Sequence, residues 1–165
     1  MEFQHELIIP DEGFPFKVFL FEGGNGNYVR EKHWHTSIEI FAVLAGSLDF
    51  FVNKEEYPLK AGEQIIINSN EIHSIHAPEK NQTVVLQIPL KQFENYFTAQ
   101  RFIRFRGQEE TTDKKLTSLI KKLYKTYVDR ETGYEFKTMS IFYEIMYTLI
   151  RDYRVTEAKE KEIRH

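Results

Sequence analysis

At Pro89 the hydrophobic period of this chain changes from two to helical spacing, and that switch limits the folds open to it. Before Pro89, short apolar runs alternate with polar residues and are bounded by turn residues about every ten positions. Residues 14–21 alternate apolar side chains with Lys17 and read as a first strand, and Gly23-Gly24-Asn25-Gly26-Asn27 follows as a loop. Residues 38–44 are apolar on both faces, so that strand must be covered by the barrel interior on one side and by another layer or subunit on the other. Residues 47–52 are expected as its hairpin partner, with a turn at Asn53-Lys54-Glu55-Glu56, a short strand over 57–62 and a last long strand over 82–88. Strands so spaced predict an antiparallel sandwich or barrel, and a closed double-sheet jelly roll removes the edges that such strands would expose.

After Pro89, Leu90, Phe93, Tyr96 and Phe97 recur at helical spacing. Leu116, Leu119, Ile120, Leu123, Tyr124 and Tyr127 then mark a full helix opened by Asp113 and broken at Gly133. A second long helix carries two apolar stripes, one of Phe136, Met139, Tyr143, Met146 and Ile150, the other of Phe142, Leu149 and Tyr153. One stripe can pack on the first helix and the barrel. The other, taken as the one with Phe142 and Leu149, predicts a two-fold homodimer. The expected fold is therefore mainly β with C-terminal α in one domain: a β-barrel over 1–89, an antiparallel helix pair serving dimerisation over 90–155, and a linker or tail over 156–165.

The chemistry is concentrated in His33-Trp34-His35-Thr36-Ser37-Ile38-Glu39. If these residues form one extended strand, His33, His35 and Glu39 share a parity and hence a face. Residues 62–76 read as strand, turn through Asn68-Ser69-Asn70, and strand, which returns His73 to the same place; His76 has the opposite parity. A lone histidine in a buried strand is usually a core side chain bonded to backbone. Four such residues together point instead to a pocket, because a buried Glu39 is costly unless something pairs with it. They could hold Zn, Ni, Fe or Mn, or hydrogen-bond a polar ligand directly. Trp34 should face the other way and pack under the helices. Arg101, Arg104 and Arg106 read as solvated arginines among apolar neighbours, and Lys114-Lys115 and Lys121-Lys122 as the wet face of a helix.

At these positions the chain resembles the cupin family. His33, His35, Glu39 and Gly46 fit the first cupin motif, with Gly26 one residue too far for its leading glycine. Gly62 and His73 fit the second motif, while Asn68, Asn70 and Ala77 replace its usual proline, glycine and asparagine. More narrowly, residues 14–90 resemble the amino-terminal, effector-binding domain of AraC-type transcription regulators. That resemblance implies a cupin-type double-stranded β-helix that binds a small polar, sugar-like effector without catalysis. It also implies a DNA-binding half with two helix-turn-helix units, which is missing here, so the chain is expected to be a fragment of a larger regulator, with a stand-alone sensor as the alternative. The competing reading is a metal-dependent cupin enzyme, an isomerase or dioxygenase, with His33, His35, Glu39 and His73 as ligands.

Composition narrows the partners. With no cysteine, disulfides and thiolate metal sites are excluded, and any metal must be held by nitrogen and oxygen. A net charge of −3 argues against direct DNA binding by this chain. No basic leader precedes an apolar core and no apolar run could cross a bilayer, so the expected location is the cytoplasm.

Overall fold

The apolar run in the middle of the chain forms a strand buried on both faces, and the remaining elements are arranged around those faces. The computed structural model describes residues 4–5, 13–23, 28–34, 36–77, 79–98 and 103–156, with backbone alone for 4–5 and 28–34. The strands are β1 (Gln4–His5), β2 (Lys17–Phe21), β3 (Tyr28–Trp34), β4 (Ser37–Ala45), β5 (Ser47–Val52), β6 (Glu55–Lys60), β7 (Gln64–Ile67), β8 (His73–Ala77) and β9 (Gln82–Pro89). They form two sheets, ordered β1-β3-β8-β5-β6 and β2-β9-β4-β7. Among the described strands, β5 and β6 are the consecutive pair that stays in one sheet, and every other step crosses to the opposite sheet. This interleaving is the double-stranded β-helix of a cupin-type jelly roll.

The inward residues of β4, Phe41 and Val43, pack with Ile65, Ile67 and Val85 of their own sheet and with Leu48, Phe50, Val52, Leu59, Ile75 and Ala77 of the other. The outward residues Ile38, Ile40 and Ala42 join Ile66, Val84, Leu86 and Ile88 against two helices, α1 (Lys114–Asp129) and α2 (Tyr134–Thr148). Helix α1 contributes Leu116, Ile120 and Leu123 from one face, and its first turn is capped by Asp113, whose side chain accepts from the Lys115 N–H at 2.9 Å. Helix α2 contributes Ile141, Phe142 and Ile145, and Phe142 lies on Phe16 with ring centroids 4.6 Å apart. The expected double cover of this strand is present, and the outer layer is the helix pair of the same chain.

Several local expectations were displaced by the crossings between sheets. The stretch from His33 to Glu39 is not one strand: β3 ends at Trp34, β4 begins at Ser37, and the two lie in different sheets. Strand β5 is not the hairpin partner of β4, because the chain turns into the opposite sheet at Gly46. That glycine has φ +75°, and a Cβ there would meet the Lys80 carbonyl oxygen at 2.2 Å. Likewise β7 and β8 join different sheets rather than pairing across the Asn68-Ser69-Asn70 turn. The expected turn after β5 is present, with Asn53 and Lys54 both at positive φ, 49° and 74°, as a two-residue hairpin loop requires.

The segment 90–155 is less helical than its periodicity implies. Leu90–Tyr96 is a 3₁₀ helix, and residues 103–112 run without helix along the free edge of β7. There the Ile66 N–H donates to the Gly107 carbonyl at 3.4 Å and the Gln64 N–H to the Thr111 carbonyl at 2.8 Å. The helix α1 ends at Arg130 in the left-handed region rather than at Gly133, which instead caps α2. After Thr148 the backbone widens into a π-helical turn, Leu149–Tyr153. Phe142, Leu149 and Tyr153 are core residues; the stripe left in solvent is Phe136, Tyr143 and Tyr147, exposed by 79%, 64% and 56%. The sequence-based choice of stripe was thus reversed. The expected loop at 24–27, the side chain of Trp34, Arg101 and the tail from 157 lie outside the described residues. No helix among the described residues is long and apolar enough to cross a membrane.

Candidate functional site

Paired strands place directly opposed residues on one face, so register alone assembles a polar row across the barrel wall. Lys17 of β2 stands opposite Gln87 of β9, Gln87 opposite Glu39 of β4, and Glu39 opposite Ile67 of β7. All have the inward parity: Phe19 and Phe21 from β2, Val85 from β9 and Phe41 from β4 belong to the barrel interior, whereas Val18, Leu86 and Ile40 face the helices. On the facing sheet, His33 of β3 is paired with His73 of β8, and His73 with Val52 of β5. The barrel interior is therefore apolar through its middle, with Lys17, Gln87, Glu39 and His73 at one end and the buried Thr83 at the other.

Glu39 and His73 are both buried, and Glu39 Oε1 lies 3.6 Å from His73 Nε2, reaching from one sheet to the other. The other carboxylate oxygen, Oε2, accepts a hydrogen bond from the Gln87 Nε2 amide at 2.9 Å. One oxygen is thus held by the neighbouring strand while its twin is directed at the histidine. The Phe41 and His73 rings meet in a T-shaped arrangement with centroids 5.9 Å apart. Taking a carboxylate out of water costs several kcal/mol, roughly, even after relaxation. A charge-assisted hydrogen bond and an imidazole partner offset part of that cost.

Of the four residues singled out from sequence, Glu39 and His73 are brought together. The backbone of His33 is in register with His73, while its side chain and the whole of His35 lie outside the described residues. Glu39 and His73 do not come together through parity along one strand and a returning hairpin. They meet across the barrel because β4 and β8 belong to opposite sheets. His76 has the opposite parity to His73 and is half-buried on the outer side. Sequence reasoning missed Gln87 and Lys17. The signal for Gln87 was a lone amide at the inward parity of a strand whose other residues, Val84 to Ile88, are apolar.

The buried polar cluster at Asn68 has a structural role. Its amide donates to the Phe105 carbonyl at 2.8 Å and its Oδ1 accepts from the Phe105 N–H at 2.8 Å, while Glu71 Oε1 accepts from the Asn68 and Gln108 side chains at 2.9 and 2.6 Å. These bonds fasten residues 105–108 to the turn after β7.

Residues 15–146 match the AraC-like ligand binding domain. No curated protein sequence matches this chain. Among solved structures, the conserved protein SPY1581 of unknown function from Streptococcus pyogenes is 17% identical with a TM-score of 0.44, covering 47% of this chain and 68% of that one. KdgF from Halomonas sp. is 20% identical with a TM-score of 0.43, over 50% of this chain and 73% of its own. A predicted oxalate decarboxylase, tm1287, from Thermotoga maritima is 25% identical with a TM-score of 0.43, over 46% and 69%. With most of its length matched by that one domain, the chain belongs to the family of AraC-like ligand-binding domains.

Proposed function

We propose that this chain is the sensing and dimerisation domain of an AraC-type transcription regulator, acting in the cytoplasm, with a small polar molecule bound at the polar end of the barrel. The observation that carries this reading is the Glu39–Gln87–His73 cluster, buried at one end of a largely apolar interior. A folded core does not collect a carboxylate, an amide and an imidazole without a use for them, since an apolar set of the same volume would be as stable or more so. A ligand that prefers one arrangement of barrel and helices would shift the population of that arrangement and pass the bias to DNA-binding halves carried by the full regulator. The chain itself, at net charge −3, is not the DNA-binding part.

The test is a thermal-shift screen of small polar metabolites, sugars included. The expected result is stabilisation of the wild-type protein by a specific compound and its loss in Glu39→Ala, with calorimetry giving one site per chain. A screen in which every stabilising compound acts equally on Glu39→Ala overturns the placement of the site.

One observation favours a second reading, a metal-dependent cupin enzyme. Glu39 and His73 approach within 3.6 Å with both side chains buried, a spacing that suits donors of one ion. His33, His35, Glu39 and His73 would hold it, and nitrogen-rich donors of this kind suit Zn, Ni, Fe or Mn. Such an ion would supply Lewis-acid polarisation of a bound oxygen. Elemental analysis of the purified protein, followed by titration of the four metals, decides between them: no bound metal and no binding on titration removes the enzyme reading.

A further inference from the structure

We infer that the molecule sensed is a hydroxylated carboxylate, of the class of sugar acids and smaller hydroxy acids, and that Lys17 selects its charge; this rests on the sensing reading above. Two features of the polar row each ask for a different group on the ligand. Lys17 is at the inward parity of β2, directly opposite Gln87, yet its ammonium pairs with no carboxylate among the described residues. It lies instead 5.5 Å from the centroid of the Phe19 ring, one inward position along its own strand. A half-buried cation at the polar end of the barrel is satisfied by an anionic oxygen, and a carboxylate is the commonest such group on a small metabolite.

Gln87 supplies the second requirement. Its Nε2 donates to Glu39, while its Oε1, fully buried, has no donor among the described residues. Turning the amide over would set its oxygen against the Glu39 carboxylate, acceptor against acceptor, so the present orientation is the one the neighbour dictates. The free acceptor therefore calls for a donor from the ligand, and a hydroxyl is the neutral donor that fits beside a carboxylate. Glu39 does not repel the ligand's carboxylate decisively. It stands two strands from Lys17, roughly 10 Å at the usual strand spacing. Coulomb energy falls with distance, so attraction at contact outweighs repulsion from there.

The experiment uses matched probes that differ only in the charged group: gluconate against sorbitol, and galacturonate against galactose, titrated into the full chain by calorimetry. The expected result is that at least one acid binds at least tenfold more tightly than its neutral partner, that Lys17→Met erases this preference and that Lys17→Arg keeps it. The preference should also weaken as salt rises from 50 to about 500 mM, because an ion pair near the barrel mouth is screened. Neutral partners that bind as tightly as the acids, with binding still lost in Glu39→Ala, overturn the charge selection and leave the sensing reading standing. A preference for acids that survives Lys17→Met overturns the role of Lys17. If none of the four probes binds, the assignment of ligand class fails, while the metabolite screen judges the sensing reading separately.

Discussion

Gln87 shows how much one side chain can depend on its register. It is an amide in a strand that is apolar on both faces, and it sits where its nitrogen caps one oxygen of a buried carboxylate. Replacing it with leucine adds apolar surface but leaves that oxygen without the amide donor. Hydrogen bonds to charged groups contribute about 1.5–3 kcal/mol, so Gln87→Leu is expected to lower stability by about 2 kcal/mol in urea unfolding. An unchanged midpoint would mean that Glu39 is not ionised or is satisfied elsewhere. Tyr153 is the second such residue. Its phenol donates to Asp113 Oδ2 at 2.5 Å and accepts from Gln64 Nε2 at 3.5 Å. Burial, and then the Asp113 carboxylate, push that phenol above the usual 10.0. A raised value in the folded state contributes stability that is complete below the unfolded value and is lost as the pH climbs past it. Tyr153→Phe should therefore cost about 1–2 kcal/mol at pH 7, and its gap from wild type should narrow above about pH 10. Parallel urea titrations at pH 7, 9 and 10.5 check both the size and the sign.

At the scale of elements, α2 is the informative case. Ile141, Phe142 and Ile145 form its buried face, continued by Leu149 in the π-helical turn, and Phe136, Tyr143 and Tyr147 its wet one, with Met139 and Met146 between. A row of aromatic residues in water is what a self-complementary contact covers, so the proposed dimer seam runs along Phe136, Tyr143 and Tyr147. The double variant Tyr143→Glu/Tyr147→Glu should remain folded, within about 0.5 kcal/mol per substitution, and be monomeric by light scattering. Leu149→Glu should unfold instead of yielding a monomer, because it puts an unpaired charge into the core. A wild-type chain that is monomeric at high concentration would remove the seam. The edge segment gives a separate test. A Cβ on Gly107 would come within 2.2 Å of the Ile66 Cβ, so Gly107→Ala should destabilise by about 1–3 kcal/mol through overpacking. Calorimetric melting reads it directly.

For the whole molecule, the decisive fact is that one apolar cluster runs from the outer face of the β2-β9-β4-β7 sheet into both helices. Ile38, Ile40, Ile66, Val84, Leu86 and Ile88 are each fully buried there. Each such side chain gains about 1.5–3 kcal/mol from burial, so the barrel cannot give up its helix layer cheaply. A truncation to residues 1–89 is expected to aggregate or to bind a hydrophobic dye strongly. A soluble barrel with sharp near-ultraviolet dichroism would show that the two parts fold independently. The same continuity links the polar end of the barrel to the helix layer: β4 carries Glu39 on its inner face, Ile38 and Ile40 on its outer face belong to the cluster shared with both helices, and β4 packs against α1, which packs in turn on α2.

Much of this was local and hence legible without coordinates. The period of two before Pro89 and the helical period after it decide strand and helix, because each depends on neighbours a few residues away. The two-faced burial of residues 38–44 followed from composition alone, and Glu39 and His73 stood out as polar residues in apolar surroundings. What the sequence could not settle were the relations between strands. Parity orders side chains only within one strand, and the chain leaves its sheet between Trp34 and Ser37, again at Gly46, and again after Ile67. Lys17, Gln87 and Glu39 became one row only through pairings distant in sequence. The choice between two equally apolar stripes on α2 was made by where the sheet lay, since periodicity reports that a helix has apolar faces, and only a packed neighbour decides which of them is kept from water.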